Sequence, residues 1–528
     1  FGQVSPSRAT LASTAGTLSV SALNPGIYLF DDWDNVDPSQ HPGIIGGTWG
    51  RRWNQVSASP STLDWSSLES WIAREASLGK RPIIRITPHN GWYNGQNLDG
   101  TPSWVYAQGV PKVYLSDGSV YPQYWHATYR ARMGEFIAAF GAKYDGDPRV
   151  EAVELGIGVY GEALPAWGFF ESDWYAAGLT ANIWEAYVKE VTDDYVRAFP
   201  RTPLIFMEQF FPQGDFWQMA RTTDYAAERG VAMGFNGFRA EDGDAWYNYE
   251  PTSIPGWHHA FKKWVMTGQR LGRLEAHGPY NDPTVTYWAV LNALDSNATY
   301  ISLYPEDITD SRNAEAFQFA DKYAGKTLLD TPSLWVALRD ETPGLWQPKP
   351  DNYGLGLIQY DPDNTSKGLW NVGGKEGRFA RRTDQASGRN YLSFDVYDGY
   401  LYQSPGATVD ITVTYLDQGY DSWELQYDAT GNPDKVAGVV TKSNTGAWKK
   451  VTLVLADAYF GNRQAGNTDF RLYSKGDGDD ILHMIELTKQ PIAIATPTPL
   501  PTSTPTPALG QTGSPAIGEG VWISPHDQ

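Results

Sequence analysis

Two glutamates stand next to the predicted ends of short, buried strands. The run 150–157 is apolar and β-prone, and several glycines in and after it let the chain turn before Glu162. Glu275 lies near the end of a second short run of this kind, residues 271–276. Hydrolysis of a glycosidic bond needs one carboxylic acid to protonate the leaving oxygen and a second carboxylate to attack the anomeric carbon or activate water. We therefore predict that Glu162 and Glu275 form a catalytic pair.

The elements that must carry this pair alternate between two kinds of sequence pattern. Eight short apolar runs predict strands, at 26–30, 43–49, 82–87, 150–157, 204–207, 231–235, 271–276 and 300–303. Amphipathic runs predict helices, at 64–78, 124–142, 173–198, 216–229, 256–268, 284–295 and 311–324. This alternation predicts parallel βαβ units, and eight strands predict an α/β fold of the (β/α)8 TIM-barrel type over residues 26–330.

Strand counting decides whether the two glutamates meet. If 26–30 is the first strand, Glu162 follows strand four and Glu275 ends strand seven, so both lie at the C-terminal mouth of the barrel. An open doubly wound sheet is the alternative, but no GxGxxG follows an early strand and no GxxxxGK[ST] occurs. Each glutamate could otherwise be a surface acid or a helix N-cap partner. Glu154 and Glu208 are rivals for the catalytic roles.

Polar and aromatic residues near the other strand ends or in loops are candidates for binding a hydroxyl-rich substrate. Polar groups would bond to hydroxyls, and flat rings would cover the apolar faces of sugars. The candidates are Asp32, Arg52, Trp53, Asn54, His89, Asn90, Trp92, Trp167, Glu208, Asn236, Trp246, His277 and Tyr304. For each ring the alternative is packing in the core. Residues 91–122 are predicted to form a long loop, which usually has a function.

Beyond the barrel the pattern changes to short alternating strands punctuated by Gly, Asp and Asn. This pattern predicts an antiparallel β-sandwich of the jelly-roll kind. The predicted parts are an extended arm (1–25), the barrel (26–330), a connecting segment (331–371), the sandwich (372–489), a Pro/Thr linker (490–509) and a tail (510–528). The acidic run 476–480 could hold a structural Ca²⁺, although a plain turn is the preferred interpretation. No other metal or cofactor is expected.

Composition limits the classes of partner. The 528 residues include 41 basic and 61 acidic side chains, and the formal net charge of −20 disfavours nucleic acids and anionic membranes. The absence of Cys excludes disulfides, thiolate metal sites and cysteine nucleophiles. No apolar run reaches the roughly 18–20 residues of a membrane span. The Pro/Thr-rich segment and a first residue other than Met predict a secreted or cell-surface protein after signal-peptide removal.

The segment GTWGRRWNQVSASPSTLDWSSLESWIAREASLGKRPIIRI resembles the second and third strands of clan A glycoside hydrolases, which include families 5, 39 and 42. The similarity lies in a strand with a Trp, an x-D-W-x-x-L helix start, and a Gly-Lys that leads into the next strand. It extends over about residues 26–325. The resemblance implies a retaining mechanism in which Glu162 is the acid/base and Glu275 the nucleophile. The sandwich looks similar to carbohydrate-binding modules.

One departure from the clan pattern keeps other functions open. Many clan members have an Asn directly before the acid/base, where it holds the sugar 2-hydroxyl, whereas this chain has Gly161. The competing hypotheses are a non-catalytic cell-surface or filament-forming protein built on a degenerate barrel, and a carbohydrate-binding protein. Its terminal arms could pair with the sheet edge of another copy and form a homo-oligomer or surface assembly. The sequence leaves open the sugar, its linkage, and exo or endo action.

The retaining hypothesis makes two physical predictions about the pair. The carboxyl groups of Glu162 and Glu275 should lie ~5–5.5 Å apart. Glu162 should hold its proton, whereas Glu275 should stay ionised with help from donors such as Arg52, Asn54 or Tyr304.

Overall fold

The computed structural model describes residues 23–30, 33–93, 96–168, 170–238, 259–276, 278–339, 352–360, 367–372 and 378–490. The predicted arm is therefore described only from residue 23, and the predicted tail lies outside the described residues, as does the linker from residue 491. Among the described residues, none of the helices combines the length and apolar character of a membrane-spanning segment.

Eight parallel strands form the first part of the molecule. They are β1 (Gly26–Leu29), β2 (Thr48–Arg52), β3 (Ile83–Thr87), β4 (Ala152–Glu154), β5 (Leu204–Met207), β6 (Ala232–Phe238), β7 (Gly272–Ala276) and β8 (Tyr300–Leu303). Their order in the sheet is β1-β8-β7-β6-β5-β4-β3-β2. The sheet closes because Leu29 N donates to Gly46 O at 2.9 Å and Ile45 N donates to Ile27 O at 2.9 Å. The predicted (β/α)8 barrel is thus confirmed.

The second strand begins later than the sequence predicts. Of the predicted run 43–49, only the last two residues belong to β2, which extends to Arg52. The backbone of residue 46 passes so close to its neighbour that a Cβ there would lie 2.2 Å from Arg81 O. Gly46 therefore lets the chain cross closely before regular pairing starts.

Helices cover the outside of the barrel. The longer ones are α1 (Ser66–Ser77), α2 (Ala127–Tyr144), α3 (Ala181–Ala198), α4 (Phe216–Glu228), α5 (Pro283–Asp295) and α6 (Ala314–Tyr323). Shorter helical segments are Pro38–Gln40, Trp53–Val56, Ser103–Ala107, Glu171–Ala176, Phe261–Val265, Pro305–Thr309, Ser311–Asn313 and Gln385–Ser387. The helix predicted at 173–198 is two helices, because Gly178 has a φ of +91°. Thr180 then caps α3 by accepting a hydrogen bond from Ile183 N.

The alternation of side chains along the strands sorts the barrel residues into two sets. Outward residues such as Ile84, Val153 and Leu274 belong to the core beneath the helices. Inward apolar residues form a second cluster of Tyr28, Ile83, Ala152, Ile205, Met207, Ala232 and Tyr300. Because side chains alternate with a period of two, the inward positions two residues after Ile83 and Ala152 are Arg85 and Glu154, both buried.

The segment after β3 is not the loop that the sequence predicts. It contains one hairpin of His89–Tyr93 with Gln96–Asp99 and another of Lys112–Tyr114 with Val120–Pro122, with the helix Ser103–Ala107 between them. The buried side chains of Val105, Val113 and Tyr121 attach it to the barrel core. A further small hairpin pairs Ser57–Ser59 with Thr62–Leu63.

A large antiparallel sheet forms the second part of the molecule, as predicted. Its strands are β9 (Leu334–Ala337), β10 (Tyr353–Leu355), β11 (Leu357–Tyr360), β12 (Lys367–Val372), β13 (Arg378–Arg382), β14 (Tyr391–Val396), β15 (Ala407–Leu416), β16 (Ser422–Ala429), β17 (Asn432–Thr441), β18 (Trp448–Ala458), β19 (Phe470–Tyr473) and β20 (Ile481–Lys489). The main order is β10-β9-β20-β15-β18-β16-β19-β14-β11. Four of these strands, β9 to β12, come from the predicted connecting segment 331–371.

Helices α5 and α6 carry the contact between the barrel and the antiparallel sheet. The ring of Trp335 on β9 lies 5.1 Å from Phe319 and 5.8 Å from Tyr323. Glu486 on β20 accepts hydrogen bonds from Lys322 Nζ and Tyr323 OH, each at 2.6 Å. Because the contact buries aromatic rings and pairs charges, the two parts form one compact unit.

Candidate active site

Glu162 lies in a tight turn that follows β4. Its own backbone N donates to Val159 O at 3.0 Å, and its backbone O accepts from Gly158 N at 3.0 Å. Gly161 has a φ of +90°, and a Cβ there would lie 2.8 Å from Arg85 Cδ. An Asn at this position would therefore be strained and would displace the Arg85 side chain. The departure from the clan pattern has a steric reason in this barrel.

Asn236 links the two predicted catalytic residues. On β6 it is the register partner of Glu275 on β7. Its Nδ2 donates to Glu162 Oε1 at 2.9 Å. The other oxygen, Glu162 Oε2, is buried and has no hydrogen-bond partner among the described residues. The structure thus brings Glu162, Asn236 and Glu275 together at the C-terminal end of the barrel.

Glu275 has a different partner from Glu162. Arg273 Nη2 donates to Glu275 Oε2 at 2.5 Å, and both side chains are buried. The expected donors Arg52 and Asn54 do not fill this role: Asn54 Nδ2 donates to Asp99 O at 2.7 Å, and Glu275 forms its ion pair with Arg273 and not with Arg52. Arg52 is the last residue of β2 and Asn54 follows that strand, whereas Arg273 lies on the same strand and face as Glu275.

Electrostatics separates the two carboxyl groups. Burial raises the pKa of Glu162 to about 7; the charges of Glu275 and Glu154 add to this rise, whereas Asn236 and Arg85 oppose it. Burial also raises the pKa of Glu275, but here the arginines Arg273 and Arg85 oppose the rise. A carboxylate bonded to a guanidinium is stabilised in its charged form more than one bonded to a neutral amide. The contacts of Glu275 therefore favour its ionised form more than the contacts of Glu162 do.

Two predicted ligands lie near this pair. Tyr304 follows β8, and both burial and the charge of Glu275 raise the pKa of its hydroxyl. Trp167 is 53% exposed, and its ring centroid lies 6.5 Å from that of Tyr160. The charge of Glu162, together with burial, raises the pKa of Tyr160. Trp167 is thus an exposed ring that flanks the catalytic end.

Other predicted ligands have structural roles. Trp53 is fully buried, with its ring 5.3 Å from Phe136. His89 is also buried: its Nδ1 accepts from Gly91 N at 2.8 Å, and its Nε2 lies 3.0 Å from Val120 O. Burial lowers the pKa of His89 to about 4, so the neutral ring ties the two hairpins together.

Strand alternation explains where Glu208 points, and a hydrogen bond accounts for Asn90. Met207 faces into the barrel, so the next residue, Glu208, faces the helices. Burial raises the pKa of Glu208 to about 8, and the charge of Asp224 on α4 adds to the rise, whereas a backbone hydrogen bond from Ala260 opposes it. Asn90 accepts a hydrogen bond from the hydroxyl of Thr87.

Some predicted site residues cannot be placed. Asp32, Trp246 and His277 lie outside the described residues, as does the side chain of Trp92.

Sequence reasoning missed Arg85 and Arg273. Both lie inside the barrel among carboxylates: Arg85 pairs with Glu154, and Arg273 pairs with Glu154 and Glu275. A usable signal exists, because Arg273 is two residues before Glu275 on a predicted strand and must share its face. Glu154, which the sequence leaves as a rival for catalysis, is held between the two arginines.

The acidic run proposed for Ca²⁺ contains carboxylates that pair with basic side chains. Lys442 Nζ lies 2.8 Å from Asp421 and 2.9 Å from Asp480, and Arg382 lies 2.5 Å from Asp479. Within the described ranges, no group of three or more His, Asp or Glu side chains is arranged to hold a metal ion. The ammonium of Lys442 thus lies where a bound cation would compete for the same oxygens.

A cavity of about 260 Å³ lies at the opposite, N-terminal end of the barrel, next to the starts of β5 to β8. Its charged residue, Arg270, donates to Ala227 O and Gln269 O, each at 2.6 Å. None of the described residues that line it carries a carboxyl group. The carboxyl pair Glu162 and Glu275 lies at the other end of the barrel.

The fold and site define an α/β barrel with a buried carboxyl pair at its C-terminal end. No family model matches the chain, and no curated protein matches its sequence. Among solved structures, it is similar to the β-galactosidase from the psychrophilic Marinomonas ef1, with 14% identity and a TM-score of 0.37 over 56% of this chain and 59% of that one.

Two further solved structures are similar over different lengths. An isomaltodextranase of Arthrobacter globiformis T6, complexed with panose, shares 12% identity with a TM-score of 0.30 over 89% of this chain and 97% of that one. An exo-β-1,4-mannosidase from Opitutaceae bacterium strain TAV5 shares 11% identity with a TM-score of 0.36 over 57% of this chain and 60% of that one. The chain thus spans about three-fifths of the galactosidase and of the mannosidase.

Proposed function

We propose that this protein is a retaining glycoside hydrolase that acts on an oligosaccharide or polysaccharide. The observation that carries the proposal is the unequal bonding of the pair. Glu275 is bonded to a buried guanidinium, whereas Glu162 is bonded to an amide through one oxygen only. One carboxylate that is kept charged beside one that is kept protonated is the arrangement that the two steps of the reaction need.

The proposed chemistry assigns a different role to each of the two glutamates. Glu162 donates its proton to the glycosidic oxygen while Glu275 attacks the anomeric carbon, so the C–O bond breaks and a glycosyl ester forms. Glu162, now ionised, then takes a proton from water, and the resulting oxygen nucleophile displaces Glu275. The buried Oε2 of Glu162 supports its role as the acid. Among the described residues, no acceptor forms a hydrogen bond with a proton on this oxygen.

Retention requires that the pair be close. Asn236 neighbours Glu275 across the sheet and bonds to Glu162, which supports the predicted separation of ~5–5.5 Å over the wider spacing of inverting enzymes. Trp167 and Tyr304 are the proposed aromatic contacts for the sugar.

The test is a hydrolysis screen over a glycan panel with the wild type, Glu275→Gln and Glu162→Gln, followed by NMR detection of the anomer released first. We expect turnover by the wild type, retention of configuration, and loss of turnover in both variants. Glu208→Gln is the matched control, because Glu208 is equally buried but faces the helices. Full activity of Glu275→Gln, release of the inverted anomer, or a wild type that cleaves no glycan would overturn the proposal.

One exposed feature favours a carbohydrate-binding role for the antiparallel sheet. Tyr391 on β14 is 37% exposed, and its ring stacks on Tyr473 at 4.6 Å. Arg471 lies 4.5 Å above the Tyr391 ring. Flat rings beside fixed polar groups suit the faces of sugars. Sedimentation with insoluble polysaccharides tests this role: we expect Tyr391→Ala to bind less, and equal binding would refute it.

We also propose that the protein works outside the cell. The support is the Pro/Thr-rich composition of residues 491–508 together with the extracellular occurrence of polysaccharides. Fractionation of the source cells, followed by detection of the chain, tests this location. We expect it in the medium or on the cell surface, and recovery only from the cytosol would contradict the proposal.

A further inference from the structure

Four buried charged side chains form a continuous series of ion pairs that ends at Glu275, one member of the catalytic pair. Arg85 Nη1 donates to Glu154 Oε1 at 2.6 Å, and Arg273 Nη1 donates to Glu154 Oε2 at 2.6 Å. The other terminal nitrogen of Arg273, Nη2, donates to Glu275 Oε2 at 2.5 Å. The side-chain exposure of Arg273 is 0%, and that of Glu154 is 2%. We call Arg85, Glu154, Arg273 and Glu275 the ion chain.

We propose that the ion chain decides which glutamate of the pair carries the proton, with Arg85, Glu154 and Arg273 as positioning residues. This inference rests on the proposed function, because it explains how the acid and the nucleophile are kept different. The three residues act on the reaction through Glu162 and Glu275.

The charge of the ion chain carries the argument. Two guanidinium groups and two carboxylates sum to zero, so the ion chain is neutral by itself, and the ion chain together with Glu162 is neutral only when Glu162 is protonated. Ionisation of Glu162 would leave one uncompensated negative charge in the barrel, where burial makes such a charge costly. Because each guanidinium of the ion chain is already paired with a carboxylate, Glu162 is the carboxyl group that stays neutral.

The surrounding residues leave room for this arrangement. A Cβ at Gly161 would lie 2.8 Å from Arg85 Cδ, and one at Gly234 would lie 2.2 Å from Met207 Sδ. Met207 Sδ in turn lies 3.5 Å from Arg273 Nη1. The lack of a side chain at Gly161 therefore leaves space for Arg85. The lack of one at Gly234 leaves space for Met207, which lies against Arg273. Arg273 Nε also donates to Ser302 Oγ at 3.2 Å, which fixes its orientation from β8.

Titratable groups from several elements of the described barrel face Glu162. Arg85 comes from β3, Glu154 from β4 and Glu275 from β7. Tyr160 lies in the turn before Glu162, and Tyr304 lies beyond β8 next to Glu275. Both tyrosines are neutral at the pH at which Glu162 titrates, because burial raises the pKa of each. The ion chain and Glu162 therefore set the charge of this part of the barrel.

Two substitutions break the same contact but change the charge in opposite directions. Glu154→Gln leaves the ion chain at a net +1, which favours an ionised Glu162 and lowers its pKa. Arg85→Gln leaves the ion chain at a net −1, which raises the pKa of Glu162. We expect shifts of at least about one pH unit in opposite directions. The double variant Arg85→Gln/Glu154→Gln restores a neutral ion chain and should return the pKa close to the wild-type value.

The pKa of Glu162 can be measured with and without a substrate. The alkaline limb of kcat/KM against pH reports it in the free enzyme. Titration of ¹³C-labelled glutamate carboxyl groups by NMR, with Glu162→Gln to assign the resonance, reports it without turnover. A merely structural role would make both single variants weaker in the same way. It would neither reverse the sign of the shift nor allow rescue by the double variant.

The outcomes separate this inference from the proposed function. Opposite NMR shifts without turnover of any glycan would support the ion chain and overturn the glycosidase proposal. Turnover with shifts of the same sign, with no shifts, or without rescue in the double variant would overturn the ion chain alone. If Glu154→Gln does not fold, Arg85→Lys replaces it: this variant keeps the charge, so the pKa of Glu162 should stay near its wild-type value while Arg85→Gln raises it.

Discussion

Strand β4 has a buried glutamate beyond each of its ends, Glu151 on the N-terminal side and Glu162 on the C-terminal side. Burial raises the pKa of both carboxyl groups. Glu151 Oε1 accepts from Asn24 N at 2.8 Å and Tyr300 OH at 3.0 Å, and its Oε2 lies 3.2 Å from Arg81. This carboxylate, hydrogen-bonded through Oε1 and ion-paired through Oε2, closes the floor of the barrel.

Glu162 is held through one oxygen and is otherwise surrounded by a charge-balanced ion chain. The comparison teaches that burial by itself does not distinguish a structural carboxyl group from a reactive one. The distinction lies in the partners: Glu151 accepts hydrogen bonds from two neutral donors through Oε1 and forms an ion pair with Arg81 through Oε2, whereas a single amide bonds Glu162. Changes at the two ends of the barrel should therefore have different consequences.

The largest expected effect comes from the nucleophile. Glu275→Gln should lower turnover by at least about 10³-fold, because no carboxylate is left to attack the anomeric carbon. Glu151→Gln, at the other end of the barrel, should keep the turnover of its folded fraction while lowering stability, since Arg81 loses the carboxylate with which it forms an ion pair. Steady-state kinetics normalised to folded protein measures the difference. Comparable losses of turnover in both variants would erase the contrast between the two ends.

The second effect depends on the substrate. Glu162→Gln should reduce cleavage of substrates with poor leaving groups by about 10²–10⁴-fold, and cleavage of activated aryl glycosides by much less. Good leaving groups need little protonation, so the loss of the acid affects them weakly in the bond-breaking step. The slope of log kcat/KM against leaving-group pKa should steepen in the variant. An unchanged slope would remove the acid role from Glu162.

A smaller effect is expected at the turn before Glu162. Gly161→Ala should destabilise the fold by about 2–3 kcal/mol, because it adds a strained φ and displaces Arg85. Gly178→Ala is the matched control: its φ is +91°, close to the +90° of Gly161, but no atom lies within 4 Å of its added Cβ. It should cost about 1 kcal/mol and leave turnover intact. Chemical denaturation and kinetics separate the two variants; equal costs would mean that Arg85 yields freely.

The last effect concerns the dependence of stability on pH. The pKa of Glu162 is about 7 in the folded chain against an ordinary 4.5, so the folded state binds the proton more tightly than the unfolded state. Stability is therefore lost as the pH rises from about 4.5 to about 7. Glu162→Gln removes this loss and should gain about 3 kcal/mol relative to wild type between pH 4 and pH 8. Denaturation curves at both pH values measure the gain, and a pH-independent difference would contradict it.

Local sequence patterns predicted the architecture well where they were strong. Residues 204–207 and 300–303 are strands with the predicted bounds, because each is an apolar run of strand length between polar turns. The order of strands and helices also predicted that Glu162 and Glu275 lie at the same end of a closed barrel. The pattern failed at 91–122, where hairpins replace the predicted loop, and at 173–198, where Gly178 divides the helix.

Side-chain direction was harder to predict than position along the chain. His89 and Glu208 follow strands three and five, as ligands would, yet His89 bonds to the hairpins and Glu208 faces α4. Trp53 has the flat ring that could bind a sugar face, but Phe136 and Tyr129 pack against that ring. In each case the polar or aromatic group is buried and contacts other residues of the protein. Residue type alone does not reveal these contacts.

What the sequence determined by itself was the barrel and the pair of carboxyl groups at its mouth, because both depend on short-range periodicity and on the order of elements along the chain. What only the tertiary structure decided was the chemistry available to each carboxyl group. Arg85, Glu154 and Arg273 come from three different strands and meet only when the barrel closes. Their charges balance through contacts that no local pattern encodes, and we propose that this balance separates the acid from the nucleophile.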